Sequence, residues 1–273
     1  MRYCCWLVLH LALVTRVGNA NDAAVTDPTI PDVIVPLDID ETSIAAGIEH
    51  SCAIQTQSYE DVGGRVVCWG VNNGGQSSPP PGEFIQVSSG DFHSCGIMKD
   101  QTVHCWGTAA GGISNAPSGK FVQVSCGKDF SCAIATDGTV KCWGENGYGQ
   151  LNVDPTTRFR QISASPGDFA CGVTEDNTLS CWGDNHRNQA SPPSDEKFIL
   201  VSTSRLAACG LKTDKTVTCW GMRSGVTAAP TDVQFDELTL GWNHGCGIRF
   251  EDGGVQCWGD RGSNRLEIPE ALL

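Results

Sequence analysis

The sequence predicts an all-β protein folded as a single β-propeller of about six blades, with seven as the alternative count. The tripeptide Cys-Trp-Gly occurs six times at intervals of 37 to 39 residues, a period that indicates a repeat architecture. A second cysteine precedes each copy of the tripeptide. No stretch of the sequence has convincing helical periodicity, which favours strands over helices. One small sheet cannot bury its own face, but six arranged around an axis can, whereas an open β-solenoid is the alternative arrangement.

Most of the chain divides into six similar units. Most units begin with an aromatic residue and an alternating pattern, as in Phe121-Val-Gln-Val, and most end in a proline-containing loop. Alternation predicts strands with one buried face, so each unit offers three or four short strands. The predicted repeats lie at residues 41–82, 83–119, 120–157, 158–195, 196–232 and 233–273.

The paired cysteines predict one disulfide inside a β-hairpin of every blade. A turn centred on Asp137 places Cys132 opposite Cys142, and Cβ atoms about 4.5–5.5 Å apart are close to disulfide geometry. Free buried thiols, or zinc bound by the thiols, are the alternatives. Cys126 is left over, either as a buried thiol or as the partner of another chain. The predicted pairs are Cys52–Cys68, Cys95–Cys105, Cys132–Cys142, Cys171–Cys181, Cys209–Cys219 and Cys246–Cys257.

The N-terminal residues predict that the protein is secreted from the cell. Residues 1–20 combine Arg2, an apolar run and a small-residue ending, which is typical of a signal peptide, with an uncleaved anchor as the alternative. Residues 21–40 are predicted to be an extended lead-in, either an edge strand or a disordered tail. Paired cysteines agree with an oxidising compartment, so the predicted location is secreted and extracellular.

Charge limits the kinds of partner. The chain has 18 basic and 31 acidic side chains, a net charge of −13, and loss of Arg2 and Arg16 with the signal peptide makes it −15. Nucleic acids and anionic membranes recruit basic surfaces, so neither is predicted as a partner. No GxSxG, HExxH or Walker-type motif appears, and neither an enzyme activity, a cofactor nor a metal site is predicted.

The unit GKDFSCAIATDGTVKCWGENGYGQ, residues 127–150, resembles the repeat of the regulator of chromosome condensation superfamily. The resemblance extends over about residues 41–270 and is strongest to secreted, cysteine-containing forms, including propeller-type β-lactamase inhibitory proteins. Crinkly-type plant receptor kinases have similar repeats, matched here by Cys209-Gly-Leu and Cys219-Trp-Gly. These relatives usually have seven blades, which is the reason for the alternative count.

The resemblance also implies a binding face. In the inhibitor-like relatives, the loop between the first and second strands of each blade contacts the partner, and Gly90-Asp91-Phe92-His93 matches the family motif there. Aromatic residues in these loops could instead pack between blades. The implied partner-binding residues, one from each unit, are Glu49, Phe92, Asp129, Asp168, Arg205 and Trp242.

A metal site made by three histidines is a further hypothesis for these loops. His50, His93 and His244 occupy the same position in units one, two and six, which would be neighbours in a closed ring. Hydrogen-bonded structural histidines are the simpler interpretation.

The predicted function is a secreted, non-enzymatic module that recognises an unknown extracellular protein through one face and can act as an inhibitor. One alternative is a carbohydrate-binding or adhesive propeller, with Trp242, Tyr148 or Phe92 stacking on a glycan. Another is a hydrolase or lyase that uses carboxylates near the axis.

Overall fold

The computed structural model describes residues 44–56, 63–108, 110–222, 225–260 and 268. Within these residues the chain forms six antiparallel sheets, each of three strands in sequence order. Each sheet is called a blade here, and the blades are numbered one to six from the N-terminus. The predicted fold class, an all-β propeller with one disulfide in each blade, is confirmed.

Each successive set of three strands makes one blade, and two short 3-10 turns, Ala110–Gly112 and Gly225–Thr227, follow the third strands of blades two and five. The strands are β1 (Ile44–Ala46), β2 (His50–Gln55), β3 (Arg65–Gly70), β4 (Phe84–Ser89), β5 (His93–Met98), β6 (Val103–Gly107), β7 (Phe121–Cys126), β8 (Phe130–Ala135), β9 (Val140–Gly144), β10 (Phe159–Ala164), β11 (Phe169–Thr174), β12 (Leu179–Gly183), β13 (Phe198–Thr203), β14 (Ala207–Lys212), β15 (Val217–Gly221), β16 (Phe235–Leu240), β17 (His244–Arg249) and β18 (Val255–Gly259).

Several predictions fall on other parts of the chain. The signal peptide at residues 1–20, the lead-in at residues 21–40 and the end of the sixth repeat after residue 260, apart from residue 268, lie outside the described residues. Among the described residues, no helix has both the length and the apolar character needed to span a membrane.

The second hairpin of each blade has the register that the sequence predicts. In blade three Cys132 pairs with Cys142. The turn is held by Asp137, whose carboxylate accepts hydrogen bonds from the main-chain N–H and the hydroxyl of Thr139, at 3.0 and 2.5 Å. All six predicted disulfides form, each with a Cα–Cα distance of 4.0 Å.

The glycine of each Cys-Trp-Gly ends the third strand in a left-handed conformation. Gly144 has a φ of 108°, and a Cβ atom there would lie 2.6 Å from the main-chain oxygen of Asp129. The N–H of the next residue, Glu145, donates a hydrogen bond to that same oxygen. Only glycine can adopt this φ without strain and leave room for the carbonyl, so the repeat requires it.

The hydrophobic core lies between blades rather than within them. Each buried cluster combines the middle strand of one blade with the first strand of the next, as where Phe130 and Ile134 of blade three meet Phe159 and Ile162 of blade four. Five clusters of this kind join blade one to blade two and so on to blade six. Burial of these faces provides the main driving force for folding.

The described blades form an arc. Within the described ranges, no packing of comparable extent joins blade six to blade one. Trp69 of blade one is 50% exposed, whereas the five equivalent tryptophans are 5–9% exposed. In those five, a preceding blade covers the indole. The expectation that units one and six are direct neighbours is therefore not met among the described residues.

Candidate functional site

The first and second strands of each blade are joined by a short turn whose tip points to one face. In blade two the N–H of Gly90 donates to the main-chain oxygen of His93 at 2.9 Å, and Asp91 and Phe92 form the tip. Equivalent hydrogen bonds close the other five turns. The tip residues are Ile48 and Glu49, Asp91 and Phe92, Lys128 and Asp129, Pro166 to Asp168, Arg205 and Leu206, and Trp242 and Asn243.

Neighbouring tips lie side by side and form a continuous surface, called the tip face below. The N–H of Lys128 donates to the main-chain oxygen of Ser165 in the next blade at 3.1 Å. A Cβ atom on Gly90 would clash with the main-chain oxygen of Gly127. The guanidinium of Arg205 lies 4.9 Å from the centre of the Trp242 ring, which joins blades five and six. All six residues that the sequence proposes for binding are thus on this face.

At the tips themselves, aromatic side chains are exposed in blades two and six only. Phe92 and Trp242 are each 45% exposed, whereas Phe130 and Phe169, at the start of the second strand in blades three and four, are fully buried. Packing between blades is therefore the correct interpretation for Phe130 and Phe169. Phe92 and Trp242 are available to a partner.

The loops that follow the third strands lie beside the tips and extend the same face. Their first N–H group donates to a tip carbonyl, as Glu145 does to Asp129 at 2.9 Å. Tyr148, further along the loop of blade three, is 55% exposed. Its ring meets His186 of the next blade edge-on, with the ring centres 6.3 Å apart.

Asp91 is the functional candidate that sequence reasoning missed, although it stands in the Gly90-Asp91-Phe92-His93 motif. It is only 6% exposed. Burial raises the pKa of its carboxyl to about 7; nearby Asp129 and Asp168 also raise this pKa, while Lys128 and Arg205 lower it. The pKa of Asp168 is raised as well, mainly by burial. Carboxyl groups from three adjacent tips therefore lie within electrostatic reach of one another.

The three histidines do not form a metal site. The Nε2 atoms of His50 and His93 each lie 2.7 Å from a serine hydroxyl of the following blade, Ser94 and Ser131 respectively. His244 belongs to blade six, and among the described residues the sole group of side chains close enough to share a metal ion is His93, Cys95 and Cys126, which leaves out His50 and His244. Burial lowers the pKa of His93 to about 4, so its imidazole is neutral at physiological pH.

Three comparisons place the chain among known proteins. The family model for the regulator of chromosome condensation (RCC1) repeat matches residues 84–109, 121–150 and 159–189. These segments lie in blades two, three and four, and the other blades repeat their strand order and disulfide. Blades two, three and four therefore contain RCC1-type repeats. No curated protein sequence matches it.

Solved structures with the same fold include two plant receptor ectodomains. The crinkly ectodomain of the Arabidopsis thaliana receptor kinase ACR4 is 27% identical in sequence and has a TM-score of 0.65. The match covers 79% of this chain and 78% of the ectodomain chain. The ectodomain of the Physcomitrella patens receptor kinase CR4 is 26% identical over 78% of this chain and 60% of its own, with a TM-score of 0.66.

Prp20p from Saccharomyces cerevisiae, which binds Gsp1p and histones, is 17% identical over 79% of this chain and 71% of its own, with a TM-score of 0.65. At this identity the likeness shows the fold alone. The six disulfides of this chain are typical of proteins that fold in an oxidising compartment.

One further cluster lies between blades two and three. Ligand atoms of His93, Cys95 and Cys126 lie within 4.8 Å of one another. Cys95 is bonded to Cys105, so the cluster offers one imidazole and one thiol. Cys126 is the predicted unpaired cysteine, and burial raises the pKa of its thiol to about 11. The thiol donates to the main-chain oxygen of Ser88 at 3.4 Å, which fits the buried-thiol interpretation.

Proposed function

We propose that this propeller with RCC1-type repeats is a secreted, non-enzymatic module that recognises a partner protein through its tip face. The observation that carries the proposal is the exposure of Phe92 and Trp242 on a face whose framework is otherwise repeated from blade to blade. Exposed aromatic side chains on a rigid scaffold are typical of binding hot spots. Glu49, Asp129, Asp168 and Arg205 add charges that differ between blades and would give specificity.

An extracellular location supports the same proposal. Every blade has its hairpin disulfide, and such bonds persist in oxidising compartments. The predicted signal peptide at residues 1–20 agrees with this location. The partner is then an extracellular protein, and an inhibitory role would follow if the captured partner is an enzyme whose active site the tip face covers.

Affinity capture from the native extracellular fluid tests the proposal. Three baits are used: the unaltered protein, the Phe92→Ala/Trp242→Ala double variant and a Phe250→Ala control. Phe250 is 50% exposed at the turn between β17 and β18, on the opposite face. We expect one protein to be captured in stoichiometric amount by the unaltered protein and by the Phe250→Ala control. The double variant should not capture it. Equal retention by the double variant would contradict the proposal.

Carbohydrate binding is the second candidate because Tyr148 is 55% exposed, and exposed aromatic rings stack on sugars. The guanidinium of Arg205 over Trp242 leaves that ring less open for stacking. Glycan-array binding that is lost on Tyr148→Ala would favour this candidate over protein recognition. Turnover of a substrate that is lost on replacement of one tip-face carboxylate would instead identify a hydrolase or lyase.

A further inference from the structure

Asp91 is a buried residue on the tip face whose carboxylate has no hydrogen-bond or ion-pair partner among the described residues. Its side chain is 6% exposed, and no described residue forms a hydrogen bond or ion pair with it. A carboxylate that is largely, though not completely, removed from water and has no hydrogen-bond donor is disfavoured in its charged form. A ligand that supplied a positive charge here would remove this cost.

The two cations that act electrostatically on Asp91 already interact with other groups. The ammonium of Lys128 lies 3.5 Å from a carboxylate oxygen of Asp129 in its own tip. The guanidinium of Arg205 lies against the ring of Trp242. Asp129 and Asp168 both act electrostatically on Asp91, so the tips of blades two, three and four place an excess of negative charge around one point.

The ligand that fits this arrangement is larger than a metal ion. Among the described residues, the three carboxylates do not come close enough together to share one ion, since the sole group that does so is His93, Cys95 and Cys126. A guanidinium presents five N–H donors over a planar fork and can pair with carboxylates that are further apart. Exposed Phe92 beside Asp91 offers apolar contact to the neighbouring residues of such a ligand.

We propose that the tip face binds a protein segment through a basic side chain, arginine or lysine, which enters between the tips of blades two, three and four and pairs with Asp91. Apolar residues next to that basic side chain pack on Phe92 and Trp242. This inference rests on the proposed function, which it deepens by naming the chemistry of the partner.

Binding of this kind depends on pH. The groups that act on Asp91 from the neighbouring tips are Lys128, Asp129, Asp168 and Arg205. Because the carboxyl of Asp91 has a pKa of about 7 in the free protein, it is mostly charged at pH 8 and mostly neutral at pH 6. A cationic ligand selects the charged form, so its affinity should fall by about tenfold between pH 8 and pH 6.

A phage-displayed library of random dodecapeptides, selected at pH 8, tests the inference. The baits are the unaltered protein, Asp91→Asn and the control Glu83→Gln. Glu83 is an exposed carboxylate before β4, at the opposite end of blade two from the tip, and its substitution changes the net charge equally. The unaltered protein and the control should enrich peptides that contain arginine or lysine next to apolar residues, and Asp91→Asn should not.

The strongest peptide is then synthesised with its basic residue and with citrulline or glutamine in that position. Compared with the basic peptide and the unaltered protein at pH 8, we expect an affinity at least tenfold lower for the neutral peptide, for the Asp91→Asn variant and for binding at pH 6. The Glu83→Gln variant should bind the basic peptide with unchanged affinity. No enrichment, enrichment without basic residues, or equal binding by Asp91→Asn would overturn the inference. If a native partner is lost by the Phe92→Ala/Trp242→Ala variant but binds Asp91→Asn as tightly as the unaltered protein, the inference fails while the proposed function stands.

Discussion

The indole N–H of Trp143 lies 2.8 Å from the main-chain oxygen of Ile113 in the preceding blade and donates a hydrogen bond to it. The same bond recurs at Trp106, Trp182, Trp220 and Trp258, each with a loop of the blade before it. The tryptophan of Cys-Trp-Gly therefore fastens each blade to its predecessor. Trp69 belongs to the first described blade, which has no described predecessor.

Replacing Trp143 with phenylalanine should destabilise the protein by about 1–3 kcal/mol, because the buried oxygen of Ile113 loses its donor. The matched control is Trp69→Phe, where the 50% exposed ring should make the cost less than about 0.5 kcal/mol. Urea denaturation of both variants measures the difference. Equal costs at the two positions would show that the interblade hydrogen bond is not what Trp143 contributes.

The substitution Gly144→Ala should cost at least about 2 kcal/mol, because its φ of 108° and the nearby oxygen of Asp129 both exclude a Cβ atom. Gly147→Ala, three residues later, is the control, since a Cβ atom there meets nothing within 4 Å. Thermal unfolding of the two variants gives the comparison. A Gly144→Ala protein with unaltered stability would contradict the strand-ending role given to this glycine.

His93 and Asp91 should have opposite effects on stability between pH 7 and pH 4. The folded pKa of His93, about 4, is below its ordinary 6.5, so its contribution to stability is present above pH 6.5 and is lost as the pH falls through 4. The folded pKa of Asp91, about 7, is above its ordinary 3.8, so its contribution is present below pH 3.8 and is lost as the pH rises through 7. Each effect amounts to about 3–4 kcal/mol, so in the intact protein they largely cancel.

Single substitutions should reveal the two effects. His93→Phe, which introduces the residue found at Phe130 and Phe169 in the equivalent positions, should make stability rise on acidification from pH 7 to pH 4.5. Asp91→Asn should make stability fall over the same range. Free energies of unfolding from urea titrations at several pH values provide the measurement. If the free energy of unfolding changed with pH in the same way in both variants and in the intact protein, neither His93 nor Asp91 would have the shifted pKa described above.

The hairpin disulfides should contribute measurably to stability. Replacing Cys171 and Cys181 together with serine opens a loop of 10 residues and should lower the free energy of unfolding by about 2–3 kcal/mol. Cys126→Ala is the control, because it removes a buried cysteine without breaking a disulfide and introduces the alanine that stands at Ala164 in blade four. Denaturation with and without reductant measures both. Equal losses for the two variants would mean that the cross-link itself adds little.

Much of the fold could be predicted from short-range sequence patterns. The spacing of Cys132 and Cys142 about Asp137 determines the hairpin register, because strand pairing across a tight turn leaves little freedom. The same local pattern, repeated six times, predicts the blades and their disulfides. The position of the tip residues in the first turns follows from the same alignment.

The surroundings of each repeated residue could not be predicted in this way. Phe92 and Phe130 are both tip-region phenylalanines, yet a shift of one position exposes the first and buries the second. Trp69 and Trp143 occur in identical tripeptides, but only the second has a blade covering it. The pKa of Asp91 is raised mainly by burial and further by the carboxylates of Asp129 and Asp168, which lie about 38 residues and more along the chain. The sequence by itself therefore determines the blade, since its hydrogen bonds and disulfide are local. The tertiary structure alone decides burial, charge pairing and exposure at the tip face, because the neighbouring blades supply them.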